Sequence, residues 1–131
     1  MRALLSFIVL VLALAPAPAI GQRSDEIWTA RIFDAFSQFS YTWRLKADGT
    51  YIEEGHDIQT GVAIQQPING VWRKSKSRLV LTQDSFGFVF DGTVDGEQYY
   101  GTLFQYGQKV SAFCAWRGTE IPASCDSDLV G

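Results

Sequence analysis

Alternating apolar and polar positions dominate the chain from residue 39 onward. Within 39–46 every second residue is aromatic or aliphatic and the residues between them are polar, which predicts a half-buried strand. Asp48-Gly49 follows as a two-residue hairpin signal, because both turn positions tolerate a positive φ, and 50–54 returns as the partner strand. The sequence therefore predicts a β-hairpin here, and the rest of the chain repeats its pattern.

Further strand-like runs follow, separated by turn residues. Residues 55–67 predict a looser hairpin, in which Pro67 suits an edge or the start of a strand because it has no N–H to donate. Aromatic and β-branched residues crowd the later runs, and glycine-containing turns fall between them, which is typical of consecutive antiparallel hairpins. The remaining predicted strands are 68–74, 78–82, 86–92, 99–104 and 110–117.

These runs amount to about seven to nine strands with no room for crossover helices between them. Parallel strands need connections of a dozen or more residues, so we predict an all-β, antiparallel, up-and-down meander. Such a sheet removes its exposed edges by closing into a barrel of about eight strands. Side chains fill the interior of a barrel of that size, or the interior holds one small ligand, and the sequence leaves both outcomes open.

Two segments precede the predicted barrel. Residues 1–21 combine Arg2 with a short apolar run and small residues, which predicts a cleaved signal peptide, since a membrane span needs about twenty apolar residues. An uncleaved anchor is the alternative. In 22–38 the apolar residues fit helical spacing or a broken strand, and we predict an N-terminal cap or short helix. The predicted barrel then covers 39–117, with a C-terminal tail over 118–131.

Charge and cysteine content narrow the class of protein. The chain has 14 acidic and 11 basic residues, with a net charge of −3, and it lacks the basic excess of a surface for nucleic acid or an anionic membrane. Cys114 and Cys125 are its two cysteines. In an exported domain they predict one disulfide that ties the tail to the last strand. We therefore expect a periplasmic or extracellular protein with no stable membrane span.

Several motifs resemble those of the calycin group, the lipocalin-like and avidin-like small barrels, and especially their short exported bacterial relatives of unassigned role. The motifs span most of the mature chain and are Asp48-Gly49-Thr50-Tyr51, Gly70-Val71-Trp72, Leu79-Val80-Leu81-Thr82, the run 90–101 and Trp116-Arg117. In lipocalins a tryptophan of a Gly-x-Trp motif packs against an arginine of a late strand and closes one end of the barrel. The resemblance implies these roles for Trp72 and Arg117.

The sequence offers little that would support catalysis. His56 is the single histidine, and beside acidic residues in a loop it fits a solvated hairpin end better than a metal ligand or general base. Asp95 is explained by its turn, and Glu97 by an outward strand position, so we do not assign them with Asp91 to a carboxylate pair. We predict a protein that is not an enzyme and that has no metal or cofactor; a hydrolase or isomerase in the barrel mouth ranks third among the functions considered.

Large aromatic residues are the candidates for ligand binding. Trp43, Trp72, Tyr100 and Trp116 either line a cavity or fill the core, with the three tryptophans on inward faces. The leading hypothesis is an exported barrel that binds a small apolar or amphiphilic molecule. The alternative is a protein-binding module, such as an inhibitor of an exported hydrolase, that uses the loops within 55–66. A void above about 300 Å³ would favour a ligand, and a filled core with an exposed apolar loop patch would favour a protein partner.

Overall fold

The computed structural model describes residues 25–126, and within them eight strands follow one another in sequence order. Each strand pairs antiparallel with the next, and the last pairs with the first, so the sheet closes into a barrel. This confirms the predicted all-β, up-and-down barrel of eight strands. The strands are β1 (Glu26–Ile32), β2 (Phe39–Leu45), β3 (Thr50–Asp57), β4 (Ile68–Ser75), β5 (Arg78–Gln83), β6 (Phe88–Asp95), β7 (Gln98–Gln105) and β8 (Gln108–Trp116).

The first strand corrects the prediction for 22–38. A cap or short helix is wrong for most of this segment, because β1 is a full barrel strand and the barrel begins at Glu26. The helical geometry that does occur is a single 3-10 turn at Asp34–Phe36. The spacing of the apolar residues fitted both a helix and a strand. Pairing with β2 and β8 on either side selects the strand. The predicted signal peptide of 1–21 lies outside the described residues.

Aromatic side chains fill one half of the barrel interior, the half farther from the loops that follow β1, β3 and β5. The Trp43 ring lies 4.6 Å from Phe90 and 5.7 Å from Phe113, centroid to centroid, and Tyr99 lies 4.9 Å from Phe113. These pairs are tilted or edge-to-face, the arrangements that aromatic quadrupoles favour. The Tyr99 hydroxyl donates to the backbone carbonyls of Leu79 and Phe90. This half of the barrel is therefore a packed core.

One end of the barrel is sealed by Trp28 and Arg117. The Arg117 guanidinium carbon lies 4.6 Å from the centroid of the Trp28 ring, and its Nη2 donates to the carbonyl of Gly96. The resemblance implied Trp72 as the tryptophan packed against Arg117, and the structure corrects this. Trp28 lies on β1, which is paired with β8, whereas Trp72 lies on β4 and donates its indole N–H to the carbonyl of Lys46 at 2.8 Å.

The opposite end of the barrel is a mouth formed by the longer connections. The strands β1, β3 and β5 end there and are followed by the loops 33–38, 58–67 and 84–87. The sealed end carries short turns after β2, β4 and β6. This difference in loop length leaves one end of the interior accessible.

The tail packs on the outside of the barrel. The predicted disulfide between Cys114 and Cys125 is confirmed, with Cα atoms 5.3 Å apart, and both residues are buried in a cluster with Trp116 and Phe33. Trp116 was predicted on an inward face, and this is wrong. Phe113 and Ala115 of β8 belong to the core, so Trp116 lies on the outer face and is buried by the tail.

Candidate ligand-binding site

A cavity of about 300 Å³ lies between the filled core and the mouth. It is large enough for about ten water molecules and falls at the small end of ligand-binding pockets. Its walls are mostly apolar: Ile32, Phe36, Ile68, Phe86, Phe88, Phe90 and Leu103. Its polar lining comes from four residues, namely Tyr41, Glu53, Gln65 and Gln83. A concave apolar site with a few convergent polar groups is the usual form of a small-molecule site.

Glu53 supplies a buried carboxyl group to the cavity lining. Alternation along β3 places it on the inward face with Tyr51 and Gly55, and only 3% of its surface is exposed. Its Oε1 accepts a hydrogen bond from Trp43 Nε1 at 2.8 Å, and its Oε2 accepts from Gln65 Nε2 at 3.0 Å and Gln83 Nε2 at 3.1 Å. The carboxyl group thus connects β2, β3, β5 and the loop after β3.

The environment of Glu53 is unfavourable for a negative charge. Burial raises the pKa of Glu53 above its usual range, and the hydrogen bonds from Gln65, Trp43 and Gln83 oppose that rise only in part. No Lys, Arg or His belongs to the residues that line the cavity. Burial, with a smaller contribution from the charge of Glu53, also raises the pKa of Tyr41 to about 12. The Glu53 carboxyl group is therefore buried among neutral donors, with no cationic side chain among the described residues that line the cavity.

An additional acceptor faces the same region. Gln83 is 7% exposed, and its Oε1 is buried without a hydrogen-bond partner of ordinary geometry within residues 25–126. The Tyr51 hydroxyl lies close enough to the Gln83 side chain for a hydrogen bond between them to affect the pKa of Tyr51. The Gln83 amide therefore links Glu53 and Tyr51 at the floor of the cavity.

Phe86 adds an aromatic wall in an unusual backbone conformation. Its φ is 65°, a left-handed value that is rare for a bulky residue, and it lies in the loop between β5 and β6. Gln105 Nε2 donates to its carbonyl at 3.1 Å, which helps to hold this conformation. The side chain lines the cavity while 59% of the residue remains exposed. Strained residues of this kind are concentrated at ligand and active sites.

The residues predicted to bind a ligand occupy different places. Trp43 lies below the cavity and reaches it through its hydrogen bond to Glu53. Trp72 lies near the sealed end, Tyr100 is 44% exposed on the outer side of β7, and Trp116 lies under the tail. None of the four is among the residues that line the cavity. Of these candidates the structure brings only Trp43 into contact with the site.

Sequence reasoning missed Glu53, Gln65 and Gln83. A signal for Glu53 was present, because the alternation of β3 places a charged residue in line with Tyr51 on the inward face. Gln83 has a similar signal, since it continues the inward row of Leu79 and Leu81. A polar residue at a position that the period assigns to the core marks a site worth examining.

The other residues considered for catalysis or metal binding lie outside the cavity, and most of them form ion pairs. Asp91 forms a bidentate ion pair with Arg78, at 2.9 and 2.6 Å, and Glu97 lies 3.3 Å from Arg117. His56 lies three residues after Glu53 on β3, so its side chain is on the opposite face of the strand and points away from the interior. Across the part of the chain that the structure describes, no group of three or more His, Cys, Asp or Glu residues converges as a metal site would require.

An apolar rim surrounds the mouth. Val62, Phe86 and Tyr106 expose more than half of their surface, and Ile58 and Ile64 are exposed to a lesser degree. Tyr106 adjoins the loop after β5, since its backbone N–H donates to the carbonyl of Gly87 at 3.0 Å. We use the term apolar rim for these five residues.

Membrane association and similarity to known proteins add no further assignment. No helix within the described range is long and apolar enough to cross a membrane. Comparison of the chain with protein-family models, with curated proteins and with solved structures finds no match. The architecture is compatible with a calycin-like barrel.

Proposed function

We propose that this protein is an exported, lipocalin-like binding protein, without enzymatic activity, that holds a small amphiphilic molecule in the cavity at its mouth. The observation that carries the proposal is the cavity of about 300 Å³, which has apolar walls and a buried polar floor. The disulfide between Cys114 and Cys125 supports an oxidising compartment such as the periplasm or the extracellular space.

The contrast between the two halves of the interior supports ligand binding. Trp43, Tyr99 and Phe113 pack closely below the cavity, so the sequence has the means to fill a barrel of this size. Above them the side chains leave space, and the walls around that space are aromatic and aliphatic. Each square ångström of apolar ligand surface that enters would contribute about 25 cal/mol.

The polar groups favour binding over catalysis. Among residues 25–126, the cavity lining contains one carboxyl group, that of Glu53, and its oxygens already accept three hydrogen bonds. Acid–base hydrolysis of the glycosidase type uses two carboxyl groups on opposite sides of the reacting bond. Glu53 and its hydrogen-bond partners instead form a fixed polar floor beneath apolar walls, which suits binding.

A titration with an aliphatic alcohol tests this function. We expect 1-octanol to bind the wild-type protein saturably in isothermal titration calorimetry. Ile68→Phe adds volume to the cavity wall and should weaken binding by about tenfold or more, the equivalent of one lost favourable contact of 1.4 kcal/mol. Val71→Phe is the matched control, because Val71 lies on the opposite face of β4 and is exposed. Absence of saturable binding, or equal effects of the two substitutions, would contradict the proposal.

Protein binding is a second candidate, favoured by the apolar rim. Val62 and Tyr106 are exposed beyond what the barrel needs, and exposed apolar clusters often mark interaction surfaces. Inhibition of an exported hydrolase such as lysozyme by the wild-type protein, lost in a Val62→Ser, Tyr106→Ser variant that still binds 1-octanol, would establish this function. Equal behaviour of the variant and the wild type in that inhibition assay would exclude the rim as the contact.

A further inference from the structure

We propose that the molecule held in the cavity is a cationic amphiphile, a primary ammonium group on a short apolar body, whose head group contacts Glu53 and Gln83. This inference rests on the proposed binding function and specifies its ligand class. It goes beyond a general apolar ligand because it assigns a charge to the head group.

The charge balance of the site favours a cationic head group. Glu53 is almost fully buried, and its three partners, Trp43, Gln65 and Gln83, are all neutral donors. The remaining ionisable residue of the lining is Tyr41, whose pKa is raised to about 12, so it supplies no charge at physiological pH. Ionisation of a buried carboxyl group without a cation is unfavourable. A cation supplied by the ligand would stabilise the ionised form of Glu53, whereas an anionic head group would be repelled by it.

The free hydrogen-bond acceptors of the site also favour an ammonium group. A carboxylate has about four acceptor sites, so three donors leave one for a ligand. Trp43 donates to Oε1, and both glutamines donate to Oε2, so the open site lies on Oε1. The side-chain amide of Gln83 is bonded to this carboxylate and lines the same cavity, so its oxygen adds an acceptor beside Glu53. A primary ammonium group carries three N–H donors and matches this group of acceptors, whereas an alcohol carries one.

The volume and the walls of the cavity limit the apolar body of the ligand. The volume of about 300 Å³ accommodates on the order of ten non-hydrogen atoms, at the roughly 30 Å³ that each water molecule occupies in the liquid. Phe88 and Phe90 supply aromatic walls and Leu103 an aliphatic one. Aromatic faces also attract cations, which adds to the preference for an ammonium group. An eight-carbon alkylamine satisfies the limits of both size and polarity.

Three ligands with the same chain and different head groups test the inference. In isothermal titration calorimetry of the wild-type protein at pH 7.5, octylamine should bind about tenfold or more tightly than 1-octanol, as expected for a charge-assisted hydrogen bond. Octanoate should bind more weakly than 1-octanol. This ranking uses the wild-type protein alone and so does not depend on the folding of any variant.

A substitution at Glu53 localises the effect. Glu53→Gln should remove the preference, so that octylamine and 1-octanol bind this variant with similar affinity. Glu54→Gln is the matched control, since Glu54 is exposed on the other face of β3, and it should retain the preference for octylamine.

The outcomes separate the inference from the function on which it rests. Saturable binding of 1-octanol with no preference for octylamine would overturn the cationic ligand and leave the binding function intact. A preference that persists in Glu53→Gln would also overturn the inference, because the head group would then lie elsewhere. If none of the three ligands binds, the proposed function fails and the inference fails with it.

Discussion

The guanidinium group of Arg117 lies over the indole ring of Trp28, 4.6 Å from the ring centroid. This contact joins the residue after β8 to the first strand, and Arg117 Nη1 lies 3.5 Å from the carboxylate of Glu26 as well. A cation over an aromatic face and an ion pair together seal one end of the barrel. Between this sealed end and the cavity lies the packed core of Trp43, Tyr99 and Phe113.

Loss of this seal should destabilise the protein. We expect Arg117→Ala to lower the free energy of unfolding by about 1–2 kcal/mol, because a partly desolvated cation–π contact is lost together with its carboxylate partners. Arg44→Ala is the control, since its ion pair with Asp25 is 3.8 Å long and exposed, and it should cost less than about 0.5 kcal/mol. Urea denaturation measures both, and equal losses would show that Arg117 makes no special contribution.

The indole N–H of Trp43 should contribute to stability through the Glu53 carboxylate. Trp43→Phe keeps a large ring in the core but removes this donor and leaves a buried acceptor without it, so we expect a loss of about 2–3 kcal/mol. Trp72→Phe removes a hydrogen bond to the neutral carbonyl of Lys46 and should cost about 1 kcal/mol. A larger loss for Trp72→Phe than for Trp43→Phe would contradict this ranking.

The disulfide should account for a substantial part of the stability. Cys114 and Cys125 are 11 residues apart, and closing a loop of that length contributes roughly 2–3 kcal/mol in the chain-entropy model. Thiol titration of the denatured, unreduced protein should detect no free sulfhydryl, and denaturation midpoints should fall after reduction. Two reactive sulfhydryls in the unreduced protein would contradict the assignment.

Ionisation of Glu53 should make the ligand-free protein less stable. Its folded-state pKa is raised above the ordinary value of 4.5, so its contribution is fully present below about pH 4.5 and is lost as the pH rises through the raised pKa. The groups that interact with it do not titrate in this window, because the pKa values of Tyr41 and Tyr51 are also raised. Asp84, at the end of β5, influences Tyr51 and is present in every variant compared.

The difference in unfolding free energy between wild type and Glu53→Gln isolates this effect. The wild type should lose stability relative to Glu53→Gln as the pH rises from 4.5 toward 8. The difference in unfolding free energy between wild type and Glu54→Gln should stay nearly constant over the same pH range, because Glu54 is exposed. A wild type that gains stability relative to Glu53→Gln over this range would show that the three hydrogen bonds outweigh the cost of burial.

Local patterns were sufficient to predict most of the strands. Asp48-Gly49 marked the turn between β2 and β3, and the alternation around it gave the inward row of β2 correctly. The same reasoning failed for β1, because its apolar residues fit two periods and only its neighbours in the closed sheet select one. Trp116 was misplaced because the tail, held by the disulfide between Cys114 and Cys125, covers the outer face of β8 and buries an outward residue there.

The site itself depends on contacts between residues that are far apart in sequence. Glu53, Gln65 and Gln83 lie on β3, a loop and β5, and they converge only when the barrel closes. The sequence shows each polar residue separately, but it does not show that three of them meet below an apolar cavity. The aromatic residues drew attention because of their size, although most of them fill the core or lie outside it.

The most direct test of ligand binding at the mouth is to follow the indole N–H resonances by ¹H–¹⁵N NMR during a titration with octylamine. Trp43 donates to Glu53 at the floor of the cavity, and Trp72 donates to Lys46 near the sealed end, so the two indoles report on opposite ends of the barrel. The Trp43→Phe and Trp72→Phe variants assign the resonances. A saturable shift of the Trp43 signal with little change at Trp72 is the predicted result. An unchanged Trp43 signal, or equal shifts at both indoles, would contradict a ligand anchored at Glu53.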